Sequence, residues 1–146
     1  MTGRPPRIYV CGPFRAATEY QRRGNIARAE RVALDIAATG AFYACPHLHS
    51  CHFDGLLDDI YWLELALDML RGCDALVLVG EDPDAPAPPG GTRYPRAFLE
   101  PASWNYSSGS LSEVMWCDAR AVPVISSKAE LDGFMSRWWA AQREEV

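Results

Sequence analysis

No run of this chain is long and apolar enough to cross a membrane, which takes about 20 consecutive apolar residues. The opening segment Met1-Thr2-Gly3-Arg4-Pro5-Pro6 lacks an apolar stretch of signal-peptide length. An excess of positive charge is missing too: 14 Lys and Arg stand against 19 Asp and Glu, a net charge of -5. That balance excludes a broad surface for a nucleic-acid polymer, because phosphate backbones are gripped by clustered cations. It leaves room for one small anionic ligand held by a few donors. Zinc-type cysteine pairing is absent as well. Cys11, Cys45, Cys51, Cys73 and Cys117 are odd in number and unpaired in spacing, so free thiols in a reducing cytoplasm are expected.

What is present is an alternation of strand-like and helix-like segments. Arg7-Ile8-Tyr9-Val10-Cys11 reads as a buried strand ended by Gly12-Pro13. Asn25 is placed to cap a helix whose apolar face is Ile26, Ala29, Ala33, Ile36 and Ala37, stopped by Gly40. Ala41 to Cys45 gives a short strand. Asp58-Asp59 opens a second helix with an apolar stripe of Ile60, Leu63, Leu67 and Leu70, closed by Arg71-Gly72. Ala75-Leu76-Val77-Leu78-Val79 is continuously apolar, as the centre of a parallel sheet requires. Val122 to Ile125 reads as a further strand, and Ser127 with Glu130 forms a capping box for a last helix lined by Leu131, Phe134, Met135 and Trp138.

The order is βαβαβαβα. It predicts a single α/β domain over 1–146: a doubly wound, Rossmann-like or flavodoxin-like sheet of four to five mainly parallel strands with helices on both faces. A Pro- and Gly-rich insertion at about 81–105 interrupts it. The insertion reads either as a lid or oligomer contact, or as a passive surface loop.

Ligands of such sheets bind at the carboxyl ends of the strands, so the residues there carry the functional reading. Gly12-Pro13-Phe14-Arg15 follows the first strand, where a glycine admits close backbone approach and Arg15 can grip a phosphate, or simply be solvated. Pro46-His47-Leu48-His49-Ser50-Cys51-His52 follows the second and holds all three histidines of the chain. A metal held by His47 and His49 would need a third ligand, and no HExxH or CxxC supports one, so neither a metal nor a cofactor is expected. His47 reads instead as a pocket-lining side chain or a plain loop histidine. Asp54, Asp58 and Asp59 favour a helix start through the dipole, or supply a general acid if mutual repulsion keeps one protonated. Glu113, in Ser107-x-Gly109-x-x-x-Glu113, has two open readings. Ser110-x-x-Glu113 is a capping box, and a helix start is also where free N–H groups hold an anion and a carboxylate stays ionised as a nucleophile.

In combination these residues resemble the nucleoside 2-deoxyribosyltransferase-like superfamily, and within it the 2′-deoxynucleoside 5′-monophosphate N-glycosidases. Tyr9-Val10-Cys11-Gly12-Pro13-Phe14-Arg15 is similar to that branch's Y-x-C-G-x-x-R opening, and His47 to its histidine after the second strand. Asp59-Ile60-Tyr61-Trp62-Leu63 resembles its D-L-x-W-L helix, and Ser107-x-Gly109-x-x-x-Glu113 its S-x-G-x-x-x-E segment. The pieces occur in the family order between residue 7 and about 125.

The resemblance implies Glu113 as nucleophile on the anomeric carbon, Asp59 as the acid for the departing base, and Tyr9 as the residue orienting Glu113. It places Gly12, Pro13, Phe14, Arg15, His47, Trp62, Ser107 and Gly109 at the substrate. Ser107 stands where nucleoside transferases carry an acidic residue, and a hydroxyl can donate to a 5′-phosphate. The expected activity is hydrolysis of a (deoxy)nucleoside 5′-monophosphate to base and sugar phosphate. Base exchange between nucleosides, or nucleotide sensing without turnover, are the alternatives. A homodimer with no cofactor is implied. Ala16-Ala17 departs from the branch's glycine pair, and Pro46-His47-Leu48 with Asn25-Ile26 is nearer to bacterial and phage-associated relatives.

Overall fold

Four short apolar runs become four parallel strands. The computed structural model describes residues 3–14, 18–53, 55–79 and 108–144, with the backbone alone at 108–111. Within these, β1 is Arg7–Cys11, β2 Phe42–Ala44, β3 Ala75–Leu78 and β4 Val124–Ile125. The helices are α1 (Glu19–Ala38), α2 (Pro46–Ser50), α3 (Asp59–Arg71), α4 (Ser108–Ala119) and α5 (Lys128–Glu144). The strands form one open sheet in the order β2-β1-β3-β4, every pair parallel. The sequence is therefore an α/β chain, as its alternation predicts. The insertion at about 81–105 and the residues Arg15, Asp54 and Ser107 lie outside the described residues.

Period-two alternation along β1 sorts its side chains to two faces. Ile8 and Val10 join Ala75 and Val77 under α1 and α5, with Ala29, Val32, Ala33, Ile36, Leu131 and Phe134. Tyr9 and Cys11 join Leu76 and Leu78 on the opposite face, under α3 and α4, with Ala66, Leu70, Val114 and Cys117. Both cores exclude water from the central strands, which explains why β3 is apolar on both faces.

Four local expectations change. The first helix starts six residues before Asn25, at Glu19, because the Thr18 hydroxyl accepts from the Gln21 N–H and makes the cap. Asn25 is instead buried inside α1. The stripe on α3 is only half used: Leu70 is fully buried and Leu67 packs on the core, while Ile60 and Leu63 are exposed and Ala66 takes the contact. Only the C-terminal half of α3 therefore rests on the sheet. In the box before α5, Ser127 Oγ accepts from the Glu130 N–H at 3.0 Å, but the Glu130 carboxylate reaches Ser126 rather than Ser127. Pro46 to Ser50, read as loop, is the short helix α2, with proline in its first turn.

Candidate active site

The winding of the chain decides where a ligand can enter. From β1 the chain passes to β2 on one side, then returns across β1 to reach β3 on the other. The crossovers diverge at the carboxyl ends of β1 and β3, the place where open α/β sheets generally take their ligands. Parallel crossovers also bring the N-termini of α3 and α4 to this edge.

Tyr9 is fully buried near the end of β1, and its hydroxyl donates to Glu113 Oε1 at 2.7 Å across 104 residues of sequence. Glu113 is the sixth residue of α4, in its second turn. The helix begins at Ser108, which puts Ser110 inside it rather than at its N-cap. Burial pushes the Glu113 carboxyl above the ordinary carboxylate value, against the pull of hydrogen bonds from Tyr9 and from the Cys11 thiol. The Tyr9 hydroxyl is pushed up strongly by burial and by the Glu113 charge, so it remains a proton donor. One turn on, the buried Cys117 thiol is pushed up to about 12 by desolvation and by Glu113, which keeps it protonated and unreactive. The cluster is thus a carboxylate that accepts from a buried tyrosine beside an apolar wall.

The chain matches no protein-family model and no curated protein.

The loop after β1 is held by its neighbours. A Cβ on Gly12 would lie 2.8 Å from Val79 Cβ, so glycine is required by the close pass of β3. His47 is buried, and its Nε2 lies 3.0 Å from the Pro13 carbonyl oxygen, which makes Nε2 the protonated nitrogen. Its Nδ1 faces the Cys45 sulfur at 4.0 Å. Desolvation holds this imidazole below its usual value, so it is neutral and donates to backbone. The side chain expected to line the pocket therefore spends its polar groups on the loop. Asn25 Nδ2 donates to the Phe14 carbonyl at 3.2 Å, and Asn25 Oδ1 accepts from Arg28. Phe14 packs edge-on against His47, with the Arg22 guanidinium over its ring. Consecutive carbonyls, of Pro13 and Phe14, are thus tied to α2 and α1.

Asp59 opens α3 and is exposed. Trp62, one turn further, is half-buried; it packs edge-on with Tyr61, and its indole N–H is buried with no hydrogen-bond partner among the described residues. Gly109 is the second residue of α4, in the turn whose backbone N–H groups are unpaired within the helix. Among the described residues no three His, Cys, Asp or Glu side chains gather as a metal site, and His49 and His52 are not buried. No helix among them is long and apolar enough to cross a membrane.

Two contributors escaped the sequence reading. Cys11 lies two residues after Tyr9 on the same strand face, a placement that strand alternation alone could have raised. Asn25 gave no such signal, since its partner is a backbone carbonyl in a loop.

Proposed function

We propose that this chain hydrolyses the N-glycosidic bond of a (deoxy)nucleoside 5′-monophosphate, with Glu113 as the nucleophile. The observation that carries the reading is the 2.7 Å hydrogen bond from the buried Tyr9 hydroxyl to Glu113 Oε1, at the sheet edge where α/β folds take their ligands. A carboxylate that only capped a helix would need no donor from a central strand. Held by Tyr9, the Glu113 carboxylate has the fixed orientation that attack on an anomeric carbon needs.

In the first step a Glu113 oxygen bonds to the anomeric carbon as the carbon–nitrogen bond breaks. The electron pair leaves with the base, which takes a proton from Asp59. In the second step water attacks the glycosyl ester, gives its proton to Asp59, and releases the sugar phosphate and the Glu113 carboxylate. The reading needs a carboxylate to attack and a donor to give the base its proton, the roles that the resemblance implies for Glu113 and Asp59. The phosphate preference draws on Arg15 and Ser107 in the sequence, and on the start of α4, whose free N–H groups suit an anion.

The test is release of free base from a panel of ribo- and deoxyribonucleoside 5′-monophosphates, with and without a second base in solution. Free base and sugar phosphate are expected from at least one monophosphate, and none from the Glu113→Gln variant. Transfer of the sugar to the added base in place of hydrolysis would make the chain a transferase. Release that survives Glu113→Gln would remove Glu113 from the mechanism.

A further inference from the structure

The residues that follow β1 leave the sheet at the edge where open parallel sheets take their ligands. Two buried polar side chains hold them there. His47, on α2, donates from Nε2 to the Pro13 carbonyl at 3.0 Å, and Asn25, inside α1, donates from Nδ2 to the Phe14 carbonyl at 3.2 Å. They are 5% and 1% exposed. The direction of each bond is fixed. A carbonyl only accepts, so Nε2 of His47 carries the proton. Arg28 only donates, and it meets Asn25 Oδ1, which turns the amide N–H towards Phe14.

We propose that Asn25 and His47 are positioning residues for a bound nucleotide: each ties one of two consecutive carbonyls, and together they fix the backbone of 13–14 at the carboxyl end of β1. A loop at a strand end is ordinarily the mobile part of such a fold. Here it is restrained on every side. Val79 leaves no room for a Cβ on Gly12, the ring of Pro13 fixes its own φ, and the Phe14 ring lies edge-on to His47 at 5.7 Å with the Arg22 guanidinium 5.5 Å from its centre. The peptide between Pro13 and Phe14 is trans, so tying the Pro13 carbonyl to α2 also sets the direction of the Phe14 N–H. Apolar side chains at 25 and 47 would pack the helices without desolvating a polar group. Their polar groups serve the course of the backbone, and a loop already ordered loses less freedom when a ligand binds. That this loop meets the substrate rests on the glycosidase reading; that the two side chains hold it does not.

The experiment uses full-length protein with Asn25→Leu, Asn25→Asp, His47→Phe and His47→Gln. Asn25→Asp keeps an acceptor for Arg28 and loses only the donor to Phe14, while His47→Gln can still donate to the Pro13 carbonyl. Nitrogen NMR relaxation of the Phe14 amide reads the loop, with Val10 on β1 as the internal reference. Phe14 should loosen in Asn25→Leu, Asn25→Asp and His47→Phe, and stay ordered in His47→Gln, with Val10 unchanged throughout. A Phe14 amide as ordered as in wild type in the first three would overturn the proposal, and so would an equal loosening of Val10, because the side chains would then support the strand and not the loop. Base release from a cleaved nucleoside monophosphate gives the second reading. Each lost bond should raise KM about 2–10-fold with kcat little changed, the mark of lost binding rather than lost chemistry. A fall in kcat at unchanged KM would contradict it. The unsubstituted protein supplies a third: nitrogen NMR of His47 should show the proton on Nε2, and a proton on Nδ1 refutes the tether even if the variants fail to fold. Loop and tautomer are read without turnover, so wild-type protein that releases no base, with Phe14 loosened as expected, would sink the glycosidase and leave the tether standing.

Discussion

Replacing Tyr9 by Phe removes one oxygen and leaves a ring of the same shape between the core side chains. The atom lost is the donor of the 2.7 Å bond to Glu113. A bond to an ionised acceptor contributes about 1.5–3 kcal/mol, and about 1 kcal/mol of that also serves the protonated carboxyl, as any neutral bond does. The difference, about 0.5–2 kcal/mol, acts on ionisation alone and amounts to roughly one pH unit. Burial already raises the Glu113 value, so the two effects add in one direction. The acid limb of kcat/KM for base release should therefore move upward by roughly one unit in Tyr9→Phe, with a further loss at every pH because the carboxylate is no longer oriented. The assay is base release across pH 4–9 with wild type and variant in parallel, and carbon NMR of Glu113 provides the midpoint independently of turnover. An acid limb that stays in place, or moves down, would refute the claim that Tyr9 holds the ionised form of Glu113.

Other perturbations follow from the same geometry. A carboxyl with a raised folded value favours folding when protonated; that contribution is complete below about pH 4.3 and is lost as pH rises through the folded value. Glu113→Gln should thus gain stability over wild type as pH rises towards about 8, with the gain vanishing towards about pH 4, as urea melts across that range would read. His47 has the opposite sense: its folded value is depressed, so its contribution is present above about pH 6.5 and lost as pH falls through the folded value. Wild-type thermal stability should therefore drop more steeply than that of His47→Gln between pH 7 and pH 5, and parallel curves would show that His47 is not buried neutral. Gly12→Ala drives a Cβ to 2.8 Å from Val79 Cβ and should cost about 1–3 kcal/mol in chemical denaturation. A neutral effect there would show that β1 and β3 separate freely at their ends.

What the sequence disclosed and what it hid divide along physical lines. Strands β1 and β3 were legible because continuous apolar runs bounded by glycine have few other uses in a two-faced sheet. The last strand was shorter than its apolar run because Pro123 has no N–H to give, although its carbonyl still accepts from Leu76. Asn25 looked like a cap because asparagine favours helix starts. Its amide instead meets a loop carbonyl, a tertiary contact that no local pattern records. Ile60 and Leu63 share the helical spacing of Leu67 and Leu70, but spacing reports a common face and not how far along its length the face touches the sheet. Tyr9 and Glu113 are 104 residues apart, and only the order of strand-end motifs suggested that they belong together.

If Glu113 is the nucleophile proposed above, it carries the sugar phosphate for part of each turnover. Intact and peptide mass spectrometry after rapid acid quench, on wild-type protein turning over a cleaved nucleoside monophosphate, reads it most directly. The expected result is one sugar-phosphate added to the peptide that carries Glu113, absent from Glu113→Gln. Base release with the adduct on another residue, or with undiminished turnover in Glu113→Gln, would contradict it.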